Sequence, residues 1–436
     1  MKHFVFKQIA AVALGVWASV AGAIDIEEIT SPGGIEAWLV HEPSIPFVAI
    51  EIRILGGTSL DQPERLGAGN LMMGLLEEDS GDMDALAFQE AREGLAASFG
   101  FSIYSDAVSI SAQMLTENRD EAVALLRGAL VEPRFDDDAV ERVRAQVIAG
   151  IESDAKNPGR LASRSFFAAA YPGHPYGNPR SGTADSAAAL TREDLIAAHS
   201  EMLVRDRITV GAVGDITAEE LGLLLDTLLG DLPATGAAAL PDHVDFALIG
   251  GMTLIDFPTP QSVAIFGHAG IARDHPDFFA AFILNHILGG DGFESRLMQE
   301  VREERGLTYG IGTNLLNFEH ADMFMGSFAS GNDRMAEAVE VVRAEWALMA
   351  EAGVTADELA SAKTYLTGEY PLRFDGNAPI ARIMAGMQMI GLGTEYITDR
   401  NSNIEAVTLE QINRVAAELL RPEALHFTIA GQPVGL

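Results

Sequence analysis

Between residues 47 and 55 apolar and polar side chains alternate, with Val48, Ile50, Ile52 and Ile54 on one side. A period of two predicts a strand with one buried face. A shorter apolar run at 35–40 predicts a strand before it. The period then lengthens: 66–78 and 85–98 predict two helices, 101–104 and 107–114 a hairpin, and 117–131, 137–156 and 161–171 three further helices. Thr191 stands before Arg192, Glu193 and Asp194, where its hydroxyl can cap the free N–H groups of a new helix. Residues 208–213 predict a strand and 217–229 a helix.

The pattern then breaks. Residues 233–241 read Pro-Ala-Thr-Gly-Ala-Ala-Ala-Leu-Pro, uncharged and small, which predicts a linker. Beyond it the first half is repeated. Thr191-Arg-Glu-Asp-Leu matches Thr408-Leu-Glu-Gln-Ile. Val213-Gly214-Asp215 matches Ala430-Gly431-Gln432 at the same offset. The helix beginning near Asn118 has a counterpart from Arg334, and 137–156 has one near 356–369. A single offset across separate elements indicates duplicated domains of roughly 200 residues rather than a short-period solenoid. Strands and helices mix without strict βαβ alternation. The expected class is therefore α+β, two tandem homologous domains, each a mostly antiparallel sheet packed with helices. The expected boundaries are a signal peptide at 1–23, a first domain at 24–232, a linker at 233–244 and a second domain at 245–436.

The amino terminus carries Lys2 and Lys7, an apolar run from Ile9 to Val20, and Ala21-Gly22-Ala23. This is the layout of a secretory signal peptide cleaved before Ile24; the alternative is an N-terminal anchor. It predicts export, to the periplasm before the cell exterior. A mitochondrial presequence fits less well, because the segment lacks Arg and is not amphipathic. The 436 residues contain no cysteine, which excludes thiol chemistry, disulfides and cysteine-bound zinc. The formal charge of −34 disfavours nucleic acid and anionic membrane surfaces as partners. It favours a cationic partner or peptide, or does no more than keep an exported protein soluble.

Several segments now converge. The opening strand ends Ile52-Arg-Ile-Leu-Gly-Gly-Thr58. His174-Pro-Tyr-Gly177 forms a loop, Ile287-Leu-Gly-Gly290 precedes Ser295-Arg-Leu297, and Val301-Arg-Glu-Glu-Arg-Gly-Leu-Thr-Tyr309 follows. Together with the two-half repeat these resemble the insulinase/pitrilysin family of inverzincin metallopeptidases, in its small bacterial and processing-peptidase-like branch. The resemblance extends over nearly all of the chain after the signal peptide, and the stretch from Arg302 to Tyr309 is its most specific part.

The departure from the family is equally specific. Active members carry H-x-x-E-H on the first helix after the opening strand, two histidines for zinc and a glutamate as general base. Here Asn70 takes the first histidine position, Met73 the glutamate position and Gly74 the second histidine position. The family's third ligand, a glutamate on a later helix, falls near Gly150, with Glu152 displaced from it. No two of the ten histidines lie three to five residues apart, so no helix face offers a ready ligand pair. No metal is therefore expected in this chain.

The resemblance implies that Arg302 and Tyr309 survive as the family's substrate-binding pair, donors to a peptide carbonyl or to the oxyanion of a tetrahedral intermediate. The sequence predicts a helix over 294–305 ended by Gly306, and places Tyr309 at the start of a strand at 308–315. Without the resemblance Arg302, lying among Glu300, Glu303, Glu304 and Arg305, reads as part of a solvated helix face. Gly289, Gly290 and Gly292 lack a following Gly-Lys-Ser/Thr and read as a tight turn, not a phosphate cradle. The leading expectation is a non-catalytic subunit of a heterodimeric zinc peptidase, with zinc on a homologous partner and a peptide or unfolded protein as substrate. The alternatives are a proteolytically silent peptide-binding or scaffold subunit, and a homodimeric peptidase with an unorthodox site.

Overall fold

The computed structural model describes residues 25–290, 292 and 294–436. The signal peptide expected at 1–23 lies outside the described residues.

The first half contributes strands β1 (Glu27–Thr30), β2 (Glu36–His41), β3 (Phe47–Leu55), β4 (Asp79–Ser80), β5 (Met83–Asp84), β6 (Ser98–Ile103), β7 (Ala107–Leu115) and β8 (Ile208–Gly214). Its helices are α1 (Ala68–Met73), α2 (Ala85–Gly94), α3 (Arg119–Val131), α4 (Asp137–Asp154), α5 (Pro158–Ala170), α6 (Ala184–Ala189), α7 (Arg192–Met202) and α8 (Ala218–Leu229). The second half contributes β9 (Met252–Asp256), β10 (Gln261–Ala269), β11 (Ile311–Asn317), β12 (Asp322–Gly331) and β13 (His426–Gly431). Its helices are α9 (Phe278–Gly289), α10 (Met335–Ala352), α11 (Ala356–Glu369), α12 (Asn377–Met389), α13 (Tyr396–Ala406) and α14 (Leu409–Leu419). Residues 230–251, between α8 and β9, hold neither helix nor strand.

The two larger sheets have the same plan. The first runs β1-β2-β8-β3-β7-β6 and the second β11-β12-β10-β13-β9, so β2-β8-β3-β7-β6 corresponds to β9-β13-β10-β12-β11. In each, one pair is parallel, β2 with β8 and β9 with β13, and the rest are antiparallel. The repeated threonines explain the matching helices. Thr191 accepts from the N–H of Asp194, and Thr408 accepts from that of Gln411. The fold is thus the expected pair of α+β units.

How the sheets are covered departs from a simple tandem arrangement. One face of the first sheet rests on helices of its own half, with Val48, Ile50, Ile52 and Ile54 in that core. The other face is closed by α12, which comes from the second half and packs Ala381, Met384 and Met387 on Trp38 and Val213. Reciprocally, α5 from the first half lies on the second sheet, with Phe166 and Ala170 in a core with Ile265, Met323 and Ala430. The two halves exchange a helix each. The alternation in β3 predicts one buried face; in fact Ala49 and Glu51 on the opposite face are buried too, beneath α12. Close approach needs a residue without a side chain: a Cβ on Gly211 would lie 2.1 Å from the carbonyl oxygen of Ala381.

Two expected boundaries shift. The helix predicted over 66–78 stops at Met73, because Gly74 closes it and turns lead into the small β4–β5 hairpin. The helix predicted over 294–305 is a π-helix at Met298–Glu304, and the strand after it begins at Ile311, not at 308. The Thr308 hydroxyl bonds the carbonyl oxygens of Gly310 and Ala329, which turns the chain before the ladder begins.

Candidate functional site

Asn70 and Met73, expected at positions of the zinc motif, lie on α1, and Gly74 closes it. Asp61 accepts hydrogen bonds from the N–H groups of Gly67 and Gly69, satisfying donors at the helix start. Burial pushes its carboxyl up to about 6. Asn70 is half-buried, Met73 is buried among apolar side chains, and Gly74 faces α4, where a Cβ would meet Val143 Cγ1 at 3.1 Å. Gly150, further along α4, is exposed, with no atom within 4 Å of the space a Cβ would fill. The nearest carboxylates in sequence, Glu77 and Glu78, pair with Arg92 and Arg142. Among the described residues no group of three His, Cys, Asp or Glu side chains stands ready for a metal ion. An amide, a thioether and two glycines do not fit zinc, so no step through a metal is derived for this chain.

Arg302 and Tyr309 are placed differently from each other. Arg302 sits on the π-helix, with its Nη1 3.2 Å from Glu303 Oε1. Tyr309 lies before β11 with its side chain 89% exposed. It lines a groove of about 350 Å³ with Gly289, Gly290, Gly292, Met298 and residues 310–314. Arg302 is not among the residues that line this groove. The expectation that Tyr309 opens a strand is corrected: it stands two residues ahead of it, on the exposed turn that Thr308 builds.

The residues that line a second, larger cleft carried no motif. This cleft, of about 1340 Å³, lies between Arg53 of β3 and Asp106 of the first half and residues of the second half that include α9, α12 and α13. One wall is β11, the terminal strand of its sheet, through residues 314–318. Asn314 lines both the cleft and the Tyr309 groove, so the two adjoin at β11. The other walls carry Arg53, Arg273, Arg373, Arg382 and Arg400, with Tyr370, Tyr396 and the phenylalanines of α9. Arg53 Nε lies 3.6 Å from the buried Glu51, which also accepts from Ser109. These arginines are scattered over five separate segments, which is why local spacing did not reveal them.

At one end of the cleft the two halves are tied by side chains. The Tyr176 hydroxyl donates to Asp106 at 2.5 Å and accepts from the N–H of His320 at 3.0 Å. Tyr176 comes from the His174-Pro-Tyr-Gly177 loop, whose His174 ring stands edge-on to Tyr176 at 4.5 Å between centroids.

Residues 37–184 match the insulinase family (peptidase family M16), and residues 189–366 match the peptidase M16 inactive domain. The chain belongs to the insulinase family. This insulinase-family chain is 24% identical to the non-peptidase homolog YmxG of Helicobacter pylori, over 95% of this chain and 94% of that protein. It is 26% identical to an uncharacterized zinc protease of Mycobacterium leprae, over 90% of this chain and 88% of the other. The crystal structure of a peptidase M16 inactive domain from Pseudomonas fluorescens shares its fold at a TM-score of 0.88 and 27% identity, with 94% of this chain and 98% of that one covered. This insulinase-family chain therefore keeps the two-unit fold, and its first half carries Asn70, Met73 and Gly74 on and beside α1.

Proposed function

We propose that this chain is the non-catalytic subunit of a heterodimeric zinc metallopeptidase. It holds an extended peptide while a homologous partner bearing H-x-x-E-H supplies zinc and hydrolyses it. The observation that carries this reading is β11. A terminal strand leaves one row of backbone N–H and C=O groups without a strand partner, and an extended peptide can add to such an edge. Here residues of that strand line both the Tyr309 groove and the large cleft. In the proposed pair Arg302 and Tyr309 act in trans, as donors to the peptide at the partner's metal. The Lys2–Ala23 segment supports export, and the periplasm is the proposed location.

A second reading is a proteolytically silent peptide-binding or scaffold subunit. It is favoured by the non-peptidase name of the Helicobacter relative and by the exposure of Tyr309.

Co-purification from the native host, with cleavage of an unfolded peptide measured with and without a zinc chelator, tests the first reading. Recovery of a similar-sized H-x-x-E-H chain with chelator-sensitive activity is the expected result. An isolated chain that hydrolyses peptide and is indifferent to chelator would sink it. A chain that elutes alone and inert transfers support to the second reading.

A further inference from the structure

Nearly every cation of this protein is an arginine, and five of the 29 Lys and Arg residues line one cleft in a chain of charge −34. Such a concentration costs free energy through repulsion, and the protein as a whole does not need it. Three of the five make no ion pair among the described residues: Arg273, Arg382 and Arg400. Arg53 stands beside Glu51, and Arg373 donates to Glu369 at 2.8 Å.

Arg400 is the anomaly. It is 4% exposed, on α13. Its guanidinium stacks over Tyr370 at 4.2 Å, and its Nη1 donates to the Leu366 carbonyl at 3.0 Å and to Asn401 at 3.2 Å. Its Nη2 is buried and has no partner. A buried charged donor left unpaired is expensive, so its presence at a cleft wall calls for a ligand. Arg273 is held a short way off. It stacks over Phe278 at 4.1 Å and Tyr396 at 4.9 Å, and its Nη2 donates to the Tyr396 hydroxyl. The two guanidiniums are fixed by aromatic faces, which leaves donor edges for a ligand.

The cleft also contains acids: Asp274, next to Arg273 in the chain, and Asp106, Glu319 and Asp322. Asp106 is engaged by Tyr176 and by the N–H of Glu319, and Asp322 accepts from Asn317. The charged and titratable groups acting on Tyr370 are Tyr396, Arg400, Arg373 and Arg273, and those on Arg400 are Tyr396, Tyr370, Arg373 and Glu369. Of these groups Glu369 alone is an acid, and it is already paired to Arg373.

We infer that Arg273, Arg373 and Arg400, with Tyr370 and Tyr396, form a subsite for a carboxylate carried by a peptide lying in the cleft. Planar guanidiniums match a carboxylate through paired N–H donors, and the phenylalanines of α9 supply an apolar floor for the flanking side chain. The inference rests on the peptide-binding reading above and adds the chemistry of what is recognised. It runs against the molecule's long-range field, which repels anions, so a preference for acidic peptides could arise only locally.

The test is fluorescence anisotropy with the full chain and labelled unfolded peptides of one sequence in three forms. One has a free C-terminal carboxylate, one a C-terminal amide, and one an internal Glu with an amidated end. The expected result is about tenfold tighter binding of one carboxylate form over the neutral amide. Which form gains shows whether a chain terminus or an acidic side chain is read. Arg273→Gln should reduce the preference to about twofold or less without weakening the neutral peptide. Arg400→Met should do the same, and a thermal melt of each variant reports whether it folds. Equal binding of all three forms overturns the carboxylate subsite and leaves the peptide reading standing. No binding of any form overturns both. A preference that survives in a folded Arg273→Gln, Arg400→Met double variant also overturns the subsite.

Discussion

Tyr176 and Asp106, both from the first half, share a hydrogen bond of 2.5 Å whose two ends also hold the N–H groups of His320 and Glu319 from the second. One phenol and one carboxylate therefore close a seam between halves. Burial, and the Asp106 carboxylate beside it, push the phenol's ionisation well above the usual tyrosine range, so it stays a donor at any ordinary pH.

Tyr176→Phe removes that donor and leaves the N–H of His320 without its acceptor. The expected loss is about 1–3 kcal/mol of unfolding free energy, read from urea denaturation. A loss below about 0.5 kcal/mol, the range of an ordinary surface change, would show that the seam carries no stability.

His268 predicts an acid sensitivity in the second half. Its Nε2 accepts from the Trp346 indole N–H at 3.1 Å, and its Nδ1 faces the Ala269 carbonyl at 2.7 Å, the arrangement of a neutral ring. Burial pushes its pKa down to about 4 from an ordinary 6.5. The unfolded chain thus binds more protons between those values. The contribution is complete above pH 6.5 and is lost progressively as pH falls from 6.5 to 4, on the order of 1–2 kcal/mol by pH 5. Urea midpoints at pH 7 and pH 5 should separate the wild type from His268→Gln by different amounts. An identical separation at both would refute this assignment.

Arg302→Ala and Tyr309→Phe divide the two functional readings. In a reconstituted pair with a zinc-bearing partner, peptide hydrolysis should fall roughly 10²-fold if the two side chains support the transition state. Unchanged turnover would assign this chain a scaffold role.

Gly211→Ala probes the exchanged helix. The added methyl would sit 2.1 Å from the Ala381 carbonyl oxygen, a backbone atom that cannot swing aside. The expected cost is about 1–3 kcal/mol, with faster amide exchange concentrated in α12. Exchange that rises evenly over the whole chain would argue that α12 is not the element displaced.

Much of this was legible in the sequence, for physical reasons that can be named. The β3 alternation and the Thr191 and Thr408 caps are local rules, and the common offset of two duplicated units fixes equivalent strands. The exchange of α5 and α12 was not legible, because an amphipathic helix states that it buries a face and not which sheet receives it. Glu51 marks this failure: it reads as solvated in an alternating strand and is buried under α12. The expectation at Asn70, Met73 and Gly74 came from a local motif position on one helix. The arginine cluster was not, since Arg273, Arg373 and Arg400 are joined only when a loop, a turn and α13 fold over α9.

The exchanged helices also bear on how a substrate could be admitted. A two-lobed binder commonly works as a clamshell, its lobes swinging about a hinge. Here such a swing would drag α12 off Trp38 and Val213 and α5 off Ile265 and Ala430, exposing two apolar sheet faces to water. Each lobe is latched by a bolt belonging to the other. The aperture of the cleft is therefore set when the chain folds, because widening it would strip both latches from their sheets.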